Sequence, residues 1–103
     1  ASLRQREELR GIVQLLYIRH DPTPDDLQML DFLAELGIPT IVAVTKVEKL
    51  STNAARSRLD EVARAAGLDG EQMIPFSAVT GQGRDELAQA IVELVAHPSW
   101  RAE

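Results

Sequence analysis

Apolar positions along the chain follow two rhythms that alternate. The run Ile12-Val13-Gln14-Leu15-Leu16-Tyr17-Ile18 is short, rich in branched side chains and nearly continuous in apolarity, the pattern of a strand covered on both faces. Thr40-Ile41-Val42-Ala43-Val44-Thr45 repeats that pattern. Met73-Ile74-Pro75-Phe76-Ser77 is a third, shorter run, and its Pro75 points to an edge position or an irregular end. Between the runs the spacing changes to that of helices. Thr23, Pro24 and Asp26 read as an N-cap, a first-turn proline and an acidic first turn. Leu27, Leu30 and Ala34 then form one stripe, with Met29, Leu33 and Leu36 beside it, and Gly37 stops the helix. Ser51 caps a second helix with Ala55, Leu59, Val62 and Ala66 inward and Gly67 at its end. A third follows the turn Thr80-Gly81-Gln82-Gly83 and lines up Leu87, Ile91 and Leu94, with His97-Pro98 as its stop. Residues 1–9 are polar and suit the tail of a helix.

These signals predict strands over about 11–18, 39–45 and 72–77, and helices over about 24–36, 52–66 and 84–96. An order β-α-β-α-β-α with buried strands implies right-handed crossovers and a parallel sheet in an α/β/α sandwich. At 103 residues the chain suits one domain, since domains run to roughly 100–150 residues. Hydrophobic residues at 45% and charged residues at 26% are ordinary for a folded globular chain. A net charge of −5 argues against DNA as a partner, because counterion release needs a basic patch. Without cysteine, disulfides and thiolate metal sites are excluded. No apolar run approaches the ~20 residues that span a bilayer, so a cytoplasmic protein without membrane contact is the expectation.

In an open parallel sheet, ligands bind outside the carboxyl ends of the strands. The residues there are Arg19-His20-Asp21, Thr45-Lys46-Val47-Glu48-Lys49 and Ser77-Ala78-Val79-Thr80-Gly81. Thr45-Lys46-Val47-Glu48 resembles the T/N-K-x-D base-recognition motif of Ras-like GTPases. Ser77-Ala78, followed by Thr80-Gly81, Gly83 and Glu86-Leu87, resembles their S-A-x-T-G-x-G-x-x-x-L motif. With the segments from Leu9 to Val13, Ile18 to His20 and Thr23 to Leu30, the chain is similar to the back half of EngB-type (YihA-type) GTPases, which assist bacterial ribosome assembly. Either motif alone is weak; the pair at this spacing, each at a strand end, is specific.

The resemblance implies half of a P-loop GTPase fold and a guanine site made by Thr45, Lys46, Glu48, Ser77 and Ala78. Guanine presents an N1–H and an N2 amino group side by side, and one carboxylate accepts both. The family uses Asp there; Glu48 reaches one methylene farther, and weaker binding is expected. The lysine matching Lys46 would lay its stem along the base. The Ala78 N–H would donate to guanine O6, where adenine has a donor instead.

No G-x-x-x-x-G-K-[ST] segment occurs in these residues, and no D-x-x-G precedes Gly11. Magnesium and phosphate therefore have no cradle here, and catalysis by these residues alone is not expected. GTP or GDP would bind weakly, at about millimolar Kd or above. Tyr17 stands where the family has Asp, and is open to two readings, core filler or interface residue. His20 and His97 lack any metal-ligand spacing. Trp100 is a tail residue, expected to pack on the last helix or on a partner. Two functions stay open: a guanine-reading part of a GTP-binding protein, or a non-catalytic self-associating module. Partners follow the same division. Either two copies pair along the open edge from Ile12 to Ile18, or an N-terminal half or residues 1–10 close it. Ribosome contact is implied by the resemblance alone.

Overall fold

Thr23 starts the first helix by a reciprocal cap. Its hydroxyl accepts the Asp26 N–H at 3.0 Å, and the Asp26 carboxylate accepts the Thr23 N–H at 2.9 Å. With Pro24 in the first turn, helix α1 runs Pro24–Leu36 and ends on Gly37 in the left-handed region at φ 72°. Ser51 caps helix α2, Thr52–Ala66, through the Ala54 N–H, and Gly67 closes it at φ 70°. The third helix, α3, covers Arg84–Ala96. Strands β1 (Ile12–Tyr17), β2 (Thr40–Thr45) and β3 (Met73–Pro75) lie between them, in a computed structural model that describes residues 11–96. The helix tail over residues 1–9, the closure by residues 1–10, the stop at His97-Pro98 and the Trp100 tail lie outside the described residues.

All three strands are parallel, in the order β1-β2-β3. The register sets Leu16 against Val44 and Leu15 against Ala43, and Ala43 in turn meets Ile74. Side chains alternate across a strand, so Leu16, Val42, Val44 and Met73 share one face while Leu15, Ala43 and Ile74 share the other. The first face carries the main core. Leu16, Ile18, Val42, Val44 and Met73 pack with Val62 and Ala63 of α2, and Leu30 of α1 and Ala55 and Leu59 of α2 close over them. Each fully buried Ile or Val there contributes about 1.5–3 kcal/mol, and Ile18, Val42, Val44 and Val62 are all fully buried.

On the opposite side α3 returns toward the start of β1, where Leu94 lies against Gly11 so closely that a Cβ there would overlap it. Ala43 and Ile74 are buried, yet Leu15 is 61% exposed and Val13 36%. A strand covered on both faces is therefore not what β1 becomes. The covering reaches β2 and β3 and thins out over β1, the edge of the sheet among the described residues. Helix α3 has no fully buried residue, and Val92 and Val95 of the same helix are exposed. The third strand is also shorter than its apolar run: it ends at Pro75, and Ser77 already bonds into its own loop, to the Gln82 carbonyl.

One long side chain ties α2 to the exit of β1. Arg58, 18% exposed, donates Nε–H to the Ile18 carbonyl at 2.7 Å and pairs with Asp21 and Glu61, both at 2.8 Å. Glu61 and then Asp21 raise its pKa above the usual value, so it stays charged throughout. The two ion pairs are largely exposed and contribute little; the bond to the Ile18 carbonyl matters more. Arg58→Met is expected to destabilise the fold by about 1–2 kcal/mol, read as a lower urea midpoint with an unchanged slope.

Candidate functional site

Parallel strands place all their carboxyl ends along one edge, and the loops there interlock. The Ile18 N–H donates to the Thr45 carbonyl, Phe76 to Val44 and Val47 to Phe76, at 3.1, 2.8 and 3.3 Å. Thr45 donates its hydroxyl to the Leu16 carbonyl at 3.2 Å, which locks the end of β2 to β1. Next comes Lys46 in the left-handed region, φ 64° and ψ 35°, the one non-glycine residue of positive φ among the described residues. That conformation costs about 1–2 kcal/mol for an L-residue. It reverses the chain directly into the 3-10 turn Val47–Lys49, with Val47 buried and Glu48 beside it.

Ser77 organises the second loop. It is fully buried; its N–H donates to the Gln82 carbonyl, its carbonyl accepts the Gly81 N–H, and its hydroxyl accepts the Thr80 N–H at 3.0 Å. The Thr80 hydroxyl accepts the Gln82 N–H at 3.1 Å. Gly81 and Gly83 both have positive φ, and a Cβ on Gly83 would fall on the Pro75 carbonyl oxygen. Serine, threonine and two glycines at this spacing are thus what the tight turn itself requires.

Thr45, Lys46, Glu48 and Ala78, with Phe76 and Val79, line one cleft of about 300 Å³, at the small end of ligand clefts. Four of the five residues expected from the sequence therefore meet. Ser77 does not line the cleft and lies beneath it, reaching the site through Glu48. Its hydroxyl is the first cause that lowers the Glu48 pKa, followed by Glu48's own backbone N–H and, more weakly, by the charges of Lys49 and Lys46. Partial burial opposes them without winning. Even so, Glu48 Oε1 is shut off from solvent and makes no hydrogen bond of full geometry. The Ala78 N–H likewise meets no acceptor among the described residues, although Ala78 is exposed. A second cleft of about 420 Å³, between α2 and the loop before α3, shares Glu48 with Arg56, Thr80 and Gln82.

Phe76 and Val79 escaped the sequence reading, although both lie within the strand-end segment already singled out. Arg58 gave no signal, since its partner Ile18 is 40 positions away. Tyr17 packs on the main core, as the core-filler reading expects, and also carries the Lys46 ammonium over its ring, which the sequence did not signal.

The α/β sandwich and the paired loops at its strand ends define part of a P-loop GTPase fold. A solved structure described as a probable GTP-binding protein engB superposes with a TM-score of 0.74 at 25% identity, over 89% of this chain and 59% of that one. In sequence, the chain is 58% identical over 93 residues to the probable GTP-binding protein EngB of Gemmatimonas aurantiaca, covering 90% of this chain and 46% of that protein. The protein of the same name from Syntrophomonas wolfei is 43% identical over 95 residues, covering 92% and 49%. No family model matches. The chain is a partial EngB-like domain, and it spans about half the length of the curated relatives it matches.

Because the folded pKa of Glu48 is depressed, its contribution to stability is complete above the ordinary value of 4.5 and is lost as the pH falls from there through the lower folded value. Denaturation midpoints of the wild type and Glu48→Gln across pH 3–7 are expected to differ at neutral pH and to converge in acid.

Proposed function

We propose that this chain supplies the guanine-reading part of a GTP-binding domain, without hydrolysing GTP through these residues alone. The observation that carries the reading is that the Glu48 carboxylate, its pKa lowered by the Ser77 hydroxyl, lines the same cleft as Ala78, whose N–H meets no acceptor among the described residues. The pairing is complementary to guanine: an acceptor for N1–H and the N2 amino group, and a donor for O6. Adenine offers the reverse at both places, so a buried mismatch would penalise it strongly. Lys46 adds an apolar stem with a cationic tip beside the ring. The relatives' name, GTP-binding protein, agrees with this chemistry.

A titration with GDP, GTP and ATP followed by amide NMR shifts tests it. Saturable shifts at Lys46, Glu48 and Ala78 are expected with guanine nucleotides and not with ATP, at about millimolar Kd. Glu48→Ala is expected to abolish them. Glu48→Asp is expected to tighten binding, because a shorter arm leaves the base more room. Equal response to ATP, or none to GDP, removes the reading.

A second reading rests on a different observation. Strand β1 is an edge of the sheet among the described residues, and Leu15 and Val13 are exposed beside it. Such an edge favours strand pairing, here between two copies about a two-fold axis. Sedimentation is then expected to give a dimer mass that falls to a monomer in Leu15→Lys, whereas a wild-type monomer removes this reading.

A further inference from the structure

Tyr17 ends β1 opposite Thr45, so its ring stands beside the residue that follows, Lys46. Two side chains flank that ring. Lys46 Nζ lies 5.7 Å from its centroid, within reach of the quadrupole of an aromatic face. His20 meets it edge-on, with centroids 4.8 Å apart and planes at 75°. Backbone geometry sets both placements. The left-handed conformation of Lys46 decides where its side chain starts. A turn closed by the His20 N–H on the Tyr17 carbonyl, at 3.1 Å, brings His20 back to the ring. That turn is anchored in its middle, where the Ile18 carbonyl accepts Arg58 Nε–H at 2.7 Å.

Lys46 also lines the cleft that holds Glu48 and Ala78. We propose that Tyr17 is a positioning residue for this cleft: its ring face holds the Lys46 ammonium and so sets the lysine stem where a ligand ring lies, with His20 bracing the tyrosine from its edge. The proposal rests on the guanine-reading function above. A free lysine would have to give up most of its rotamer freedom when a ligand docks against its stem. A lysine already held over an aromatic ring has lost part of that freedom beforehand, and the ligand binds more tightly for it. The ring face does this, and the tyrosine hydroxyl takes no part, so phenylalanine should serve as well. Leucine keeps an apolar bulk of similar reach but has no quadrupole.

NMR on the full chain reads the contact and the binding separately. The Lys46 Hε resonances are expected to be shifted upfield by the Tyr17 ring current, to stay shifted in Tyr17→Phe and to return to ordinary values in Tyr17→Leu. GDP is expected to bind the wild type and Tyr17→Phe equally, and Tyr17→Leu roughly two- to fivefold more weakly, the range of an exposed cation–π contact. An unshifted Lys46 in the wild type overturns the proposal. So does a folded Tyr17→Leu that binds GDP as the wild type does, or a folded Tyr17→Phe that binds as weakly as the leucine variant. A wild type with Lys46 shifted but no response to GDP overturns the guanine reading itself, and the intact Lys46 signal tells that failure from the others.

Discussion

Everything at the carboxyl edge depends on the register of β2, the one strand paired on both sides among the described residues. Parallel pairing brings Tyr17 beside Thr45 on one side and Pro75 beside Val44 on the other. Slipping it by one residue would turn Val42 and Val44 out of the main core, and burial forbids that. The same burial therefore fixes where the three loops emerge, with Lys46 next to Tyr17 and the β2 exit hydrogen-bonded to Phe76. Core packing and the shape of the strand-end cleft are here consequences of one constraint.

The energy is distributed unevenly across the sheet. One face carries the large buried aliphatic side chains and two well-capped helices, while the other buries Ala43 and Ile74 and leaves Leu15 largely in water. Most local cost sits at the strand ends instead, in the left-handed Lys46 and in a carboxylate oxygen without a full hydrogen-bond partner. Strain and unmet hydrogen bonds persist only where the surroundings over-determine them. Here the surroundings are the buried Ser77 turn on one side and the anchored exit of β1 on the other. Among the described residues, no helix is long and apolar enough to cross a membrane.

Much of this arrangement was legible in the residues. Caps such as Thr23 with Asp26, and stops such as Gly37 and Gly67, act over three or four positions, so the helices 24–36, 52–66 and 84–96 follow from local chemistry. The strand-end motifs were legible because tight turns restrict residue type. Ser77, Thr80, Gly81 and Gly83 are each demanded by a named hydrogen bond or by a positive φ. Coverage was not legible. The run from Ile12 to Ile18 is as apolar as the β2 run, yet β1 is half bare, because periodicity reports what a side chain would bury and not what arrives to cover it.

The sequence by itself determined the element order, the caps, the parallel α/β architecture and the residue types of the two strand-end loops, since all of these are set by neighbours a few positions apart. Only the tertiary structure decided that Ser77 lies beneath the cleft and not in it, that Arg58 ties α2 to the Ile18 carbonyl, and that the Lys46 ammonium lies over the Tyr17 ring while His20 meets that ring edge-on. The physical reason is common to all three. Each contact joins different loops or elements, or depends on how a turn folds back, and its geometry exists only once the register of β2 has brought those backbones together.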